Sequence, residues 1–202
     1  MKRVLALLLC AVAVLSPAWS GAQPAPPLSV KPVVEKKLKE LPAGPLFWRI
    51  ETFATLADAQ AAESATGLAA EISGKVWLFT LGPAGGATTG TMGGATKVAE
   101  IGPVPLVPAP EYLLRINHAS GPPGARTPPH SHPGSEAFYV LTGRLGQKTP
   151  HGVVHADAGT AMNGHGADMP MEVFSAGATD LDQLVMFVVD ATRPFSSPAR
   201  FE

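Results

Sequence analysis

The chain is short of several things at once. It has a single cysteine, Cys10, in 202 residues. That excludes a disulfide framework and a cysteine-rich metal cluster. Charged residues make up only 15% of the chain and the formal net charge is −1. With no basic stripe, nucleic acid is not an expected partner. The one long apolar run, Val4 to Leu15, is shorter than the ~20 residues needed to span a bilayer. There is no nucleophile-elbow pattern, no Ser-His-Asp set that the spacing supports, and no glycine loop followed by Lys-Ser or Lys-Thr.

What is abundant is turn chemistry. Gly and Pro number 21 each, which suits many short strands better than a helical bundle. Lys2 and Arg3 ahead of the apolar run, with Ala18, Ser20, Gly21 and Ala22 behind it, read as an export signal over residues 1–22, cleaved after Ala22 to leave Gln23, with cleavage after Ser20 as the alternative. The mature chain would then carry no cysteine, reach a periplasmic or secreted location, and keep no stable membrane insertion. Residues 23–94 read as an N-terminal extension: a Pro-rich, charged arm, one helix within Leu56 to Glu71, and one or two strands at Phe47 to Ile50 and Val76 to Leu81. Gly82 to Gly94 reads as a loop. Strand-like runs follow at Ala137 to Thr142, Gly152 to His155, Met171 to Phe174 and Leu184 to Asp190, so residues 95–191 are expected to form an all-β barrel or sandwich, with 192–202 as a C-terminal tail.

The chemistry concentrates in Gly124-Ala-Arg-Thr-Pro-Pro-His130-Ser-His132-Pro-Gly-Ser-Glu136-Ala-Phe-Tyr-Val-Leu-Thr-Gly143. Side chains two apart on a strand share a face, so His130 and His132 point the same way, and Glu136 lies an even step further on. Two imidazoles and one carboxylate suit a divalent transition metal and leave coordination positions open. A bare surface His-x-His pair is the bland alternative.

The spacing decides between them. Gly124, five residues, His130, one, His132, three, Glu136, six, Gly143 resembles the first motif of the cupin family at every fixed position. The resemblance implies an antiparallel jelly-roll (cupin) barrel with an N-terminal α+β extension. It also implies one divalent metal ion (Fe, Mn, Cu, Zn or Ni) on His130, His132 and Glu136. The second cupin motif is degraded. In the best register Gly159 opens it, Gly166 and Asp168 form its turn, Met171 replaces the fourth ligand histidine, and Ser175 replaces its closing asparagine. Met171 is then either pocket wall or a weak thioether ligand, and His165 is the alternative fourth donor. His118 and Phe138 are pocket candidates, whereas Tyr139, Arg126, His151 and His155 read as structural or exposed.

Two functions follow. One is a metal-dependent oxygenase-type enzyme acting on a small organic molecule, with isomerase or lyase chemistry behind it. The other is an exported barrel that binds a metal or small ligand without turnover. Cupins often pair through sheet edges, so a homodimer is the oligomer this resemblance implies.

Overall fold

In the computed structural model, residues 24–86 and 94–201 are described; the predicted export signal, Cys10 and most of the predicted glycine-rich loop lie outside them. The elements in chain order are β1 (Ser29–Leu38), β2 (Phe47–Phe53), α1 (Leu56–Ala61), β3 (Gly67–Ile72), β4 (Lys75–Gly82), β5 (Thr96–Ile101) and β6 (Tyr112–Gly121). They continue as β7 (His130–Ser131), β8 (Gly134–Thr142), β9 (Arg144–Thr149), β10 (Gly152–Asp157), β11 (Ala161–Asn163), β12 (Glu172–Ser175), β13 (Leu181–Asp190) and β14 (Ser197–Pro198).

A central five-stranded sheet, ordered β1-β6-β13-β8-β11, faces a three-stranded sheet, β10-β9-β12, on one side and a four-stranded sheet, β3-β4-β2-β5, on the other. All of their strand pairs are antiparallel. The period-2 alternation along β13 sends Leu181, Val185, Phe187 and Val189 into the barrel with Phe138, Val140 and Leu145. It sends Leu184, Met186 and Val188 outward against Trp48, Ile50, Trp77 and Phe79 of the second layer. Both faces are covered, which is why β13 reads as an almost unbroken apolar run. On the far face of the four-stranded sheet, α1 adds Ala59 over Phe53, Ala69 and Leu78.

The second layer corrects the expected extension. The helix ends at Ala61 rather than Glu71, and residues 24–86 hold four strands rather than one or two. Ala69 and Ala70 have good helix propensity but are taken by pairing with β4, closed by the two-residue turn Ser73-Gly74 with φ of 50° and 71°. The charged arm is a strand too. β1 pairs with β6 along nearly its whole length, with a register shift between Pro32 and Val34. Proline, an irregularity and charges are what an edge strand carries to resist further pairing. Its charges are engaged: Lys36 with Glu63 at 3.3 Å, Lys37 with Glu111 at 3.2 Å, and Glu35 with Arg115 at 3.7 Å. Sheet membership therefore crosses the expected boundary at 94/95 both ways, since β1 joins the barrel sheet and β5 pairs with β2.

Candidate functional site

The barrel encloses a cavity of about 380 Å³ whose lining is mostly apolar but includes His130, His132, Glu136, Asn117 and Gln183. Local chain geometry sets the first three. His130 on β7 makes a reciprocal pair of backbone hydrogen bonds with Met171, at 2.9 and 2.8 Å. Gly143 closes the β8–β9 turn at φ 74°, where a Cβ would also meet the Asp180 carbonyl at 2.5 Å. The motif's last glycine is thus required by both backbone angle and crowding.

The two imidazoles have the same tautomer for the same reason. His132 Nδ1 lies 2.6 Å from the Phe195 carbonyl and His130 Nδ1 lies 2.8 Å from the Pro128 carbonyl. A carbonyl only accepts, so each neutral ring carries its proton on Nδ1 and keeps a bare lone pair on Nε2. The ring centroids are 5.0 Å apart. Burial pushes the His132 pKa down to about 4, with the Phe195 hydrogen bond opposing and the charges of His130 and Arg115 assisting. His132 is therefore neutral at pH 7.

Glu136 is buried and its pKa is pushed up to about 8, because burial outweighs the hydrogen bond from Gln147. Gln147 Nε2 donates to Glu136 Oε1 at 2.7 Å and also lies 3.6 Å from the Met171 sulfur, while Gln147 Oε1 has no partner among the described residues. Without a metal, then, Glu136 is mostly a neutral acid at pH 7. Among the described residues no three His, Cys, Asp or Glu side chains stand close enough together to hold a metal ion. The imidazoles and Glu136 line one cavity, but the carboxyl is engaged by Gln147 instead of meeting the rings.

The other candidates divide. Phe138 lines the cavity. Met171 is buried at 1% exposure beside Gln147, behind the lining rather than in it. His165 is half-buried and absent from the lining; its pKa is lowered by burial and by the neighbouring His151. His118 is not a pocket residue. Asn117 and Ala119 take the inward positions of β6, so His118 faces out, where Nε2 contacts Asp182 at 2.5 Å and the Ser73 hydroxyl at 3.4 Å. Tyr139 also faces out, against Trp77.

Sequence reasoning missed Phe195, Gln147, Asn117 and Gln183. Phe195 belongs to the tail, yet its ring lies 4.8 Å from that of His132 and 4.9 Å from that of Phe187, with the Arg115 guanidinium 4.2 Å from its centre. The pairing of β14 with β7 brings it there. Gln183 is the findable one: it stands two residues before the inward Val185, on an otherwise apolar inner face of β13.

Inward histidines and a glutamate line an antiparallel barrel, and the motif glycine closes β8 onto β9, which is the arrangement that the cupin resemblance implies. No protein-family model matches the chain, and no curated protein does. Several solved structures are similar. A cupin-like protein from Thermotoga maritima is 17% identical over 43% of this chain and 64% of its own, with a TM-score of 0.38. The polyketide cyclase RemF from Streptomyces resistomycificus is 21% identical over 44% of this chain and 62% of its own, at 0.37. The DMSP lyase DddQ from Ruegeria pomeroyi is 18% identical over 43% of each chain, at 0.37. This chain spans less than two thirds of the length of each of them.

Proposed function

We propose that the barrel holds one divalent transition metal ion through His130, His132 and Glu136 and uses it in an oxygenase-type reaction on a small, largely apolar organic molecule. The observation that carries this reading is the pair of Nδ1–H contacts to Pro128 and Phe195, which leaves both Nε2 lone pairs free. Metal-binding histidines are held in this way by their second nitrogen. His132 is already neutral, as a ligand must be. The donor chemistry fits an ion such as Fe(II), Mn(II) or Zn(II), provided Glu136 gives up its proton and turns a carboxyl oxygen toward the imidazoles. When bound, such an ion would supply Lewis acidity and open coordination positions. The chain's own part is to exclude water with Phe138, Val185 and Phe187, and to orient the rings. Gln147 steadies the carboxyl.

A second reading has its own support. The hydrogen bond between Gln147 and Glu136, and the separation of Glu136 from the rings, favour an exported barrel that binds a small ligand without turnover. The same protein preparation separates the two. Elemental analysis of the exported protein, followed by oxygen uptake with phenolic and keto-acid compounds, should show near-stoichiometric metal and turnover. Ala at His130, His132 or Glu136 should abolish metal content while leaving the fold intact. Full occupancy in any of these variants places the metal elsewhere, and a loaded protein that consumes no oxygen favours the binding reading.

A further inference from the structure

Gln183 is fully buried, lines the cavity, and has no hydrogen-bond partner among the described residues at either polar atom of its amide. Buried amides are normally satisfied, so an inward-facing one with both groups open calls for a partner that is not part of the chain. Its position is set by register. On β13, Phe187 is paired with Glu136, Val185 with Phe138, and Gln183 with Val140. Gln183 therefore lies four residues from the level of Glu136, on the order of 14 Å of strand. Leu28, Ala119 and Val185 surround that end of the cavity, and no Lys or Arg is among its lining. Asn117, between the two levels, has its Oδ1 engaged by Arg115 Nε at 3.0 Å.

We propose that Gln183 is the recognition group for the remote end of the ligand, and that this end is an uncharged group with a donor and an acceptor side by side: a lactam, an amide or a hydroxy-carbonyl. This rests on the barrel interior being a ligand site and names the class it takes. A side-chain carboxamide has two N–H donors and a carbonyl acceptor, and one edge of it presents a donor and an acceptor side by side. Only a group that presents the complementary pair satisfies both. A carboxylate has acceptors alone, would leave Gln183 Oε1 unpaired, and would enter a lining without a cation. The body of the ligand is apolar and elongated, since it reaches from Gln183 toward the histidines between hydrophobic walls.

The test uses 2-quinolinone, a bicyclic lactam, against N-methyl-2-quinolinone, which lacks the donor, and 2-naphthoate, which has only acceptors. Calorimetric titration is run on the full exported chain as purified and again after chelation. Wild type should bind 2-quinolinone at least about tenfold more tightly than either analogue, a difference of ~1.4 kcal/mol. Gln183→Leu and Gln183→Met should bring the three probes close to equal affinity, with thermal melts confirming that the variants fold. Equal affinities in wild type, a preference for 2-naphthoate, no binding of 2-quinolinone, or a preference that survives in a folded Gln183→Met variant would each overturn the proposal. Loss of metal binding with the lactam preference intact would instead count against the metal chemistry alone.

Discussion

Raising the pH of metal-free protein from 6.5 to 9 should cost it about 2 kcal/mol of stability, with Glu136 as the cause. The folded pKa of Glu136 is raised from 4.5 to about 8 by burial. The unfolded chain therefore sheds this proton first, and stability present below pH 4.5 is lost as pH climbs toward 8. His132 acts in the opposite sense: its pKa falls from 6.5 to about 4, so its stabilisation is full above 6.5 and is lost as pH drops toward 4. Between about 4.5 and 6.5 the two slopes, each ~1.4 kcal/mol per pH unit, nearly cancel. Above 6.5 the Glu136 slope continues without the opposing one from His132, and the remaining 1.5 or so pH units give the figure. The depressed carboxyls of Glu100, Asp168 and Asp190 act only below about 4.5 and the lowered His165 only below 6.5, all outside the window from 6.5 to 9. Guanidinium unfolding at pH 5, 6.5, 8 and 9 reads the effect. Wild type should be flat and then fall, Glu136→Gln should rise to 6.5 and stay level, and saturating metal should remove the fall by displacing the proton. A wild-type protein whose stability does not decline above 6.5, or a Glu136→Gln variant that declines equally, refutes the reasoning.

Leu184→Ala, on the outward face of β13 between the two layers, should cost about 2–5 kcal/mol in denaturant unfolding. Because Leu184 points away from the cavity, probe affinities should be unchanged; altered binding would mean that the layers are coupled through the sheet. Met171→Leu should cost under about 1.5 kcal/mol and leave metal affinity intact, since the side chain is buried behind the lining. Met171→His should leave zinc, nickel and cobalt affinity unchanged in competitive chelator titration, since position 171 lies behind the lining; a tightening of about tenfold would place it beside the ion, and a thioether that is itself a copper(I) ligand would show as a selective loss in the Leu variant. N-terminal sequencing of exported protein should begin at Gln23, and recovery of Met1 on membrane-bound protein would contradict the cleaved signal.

Much of the fold was legible because several strands are short, near-continuous apolar runs that read as buried strands in isolation. Val76 to Leu81, Ala137 to Thr142 and Leu184 to Asp190 are apolar enough to be recognised without knowing their neighbours. The strands that were missed lack such a run for identifiable reasons. β1 is an edge, and its Lys and Glu residues look like a solvated arm until Glu63, Glu111 and Arg115 are brought beside them. β3 is one-third alanine, and its strand identity comes from β4 rather than from its own residues. β9 begins directly after Gly143, where the tight turn breaks any count of even and odd steps from Glu136.

That break explains the uneven legibility of the site. His130, His132 and Glu136 share one short stretch, so parity within it places them on one wall. Gln147, which governs Glu136, lies across the turn, and Phe195, which fixes the His132 tautomer, arrives through the β14–β7 pairing some 60 residues away in sequence. Neither contact leaves a mark in local periodicity. Gln183 did leave one, because counting back two from Val185 on β13 puts a carboxamide on an otherwise apolar inner face. A buried carboxamide among valines and phenylalanines contributes nothing to packing that leucine or methionine would not, and leaving it unsatisfied costs about 1–3 kcal/mol. The inner face of β13 is thus the place where the demands of folding and of ligand recognition diverge, and the polar residue there marks the end of the cavity that selects the ligand, as the histidines mark the end that would act on it.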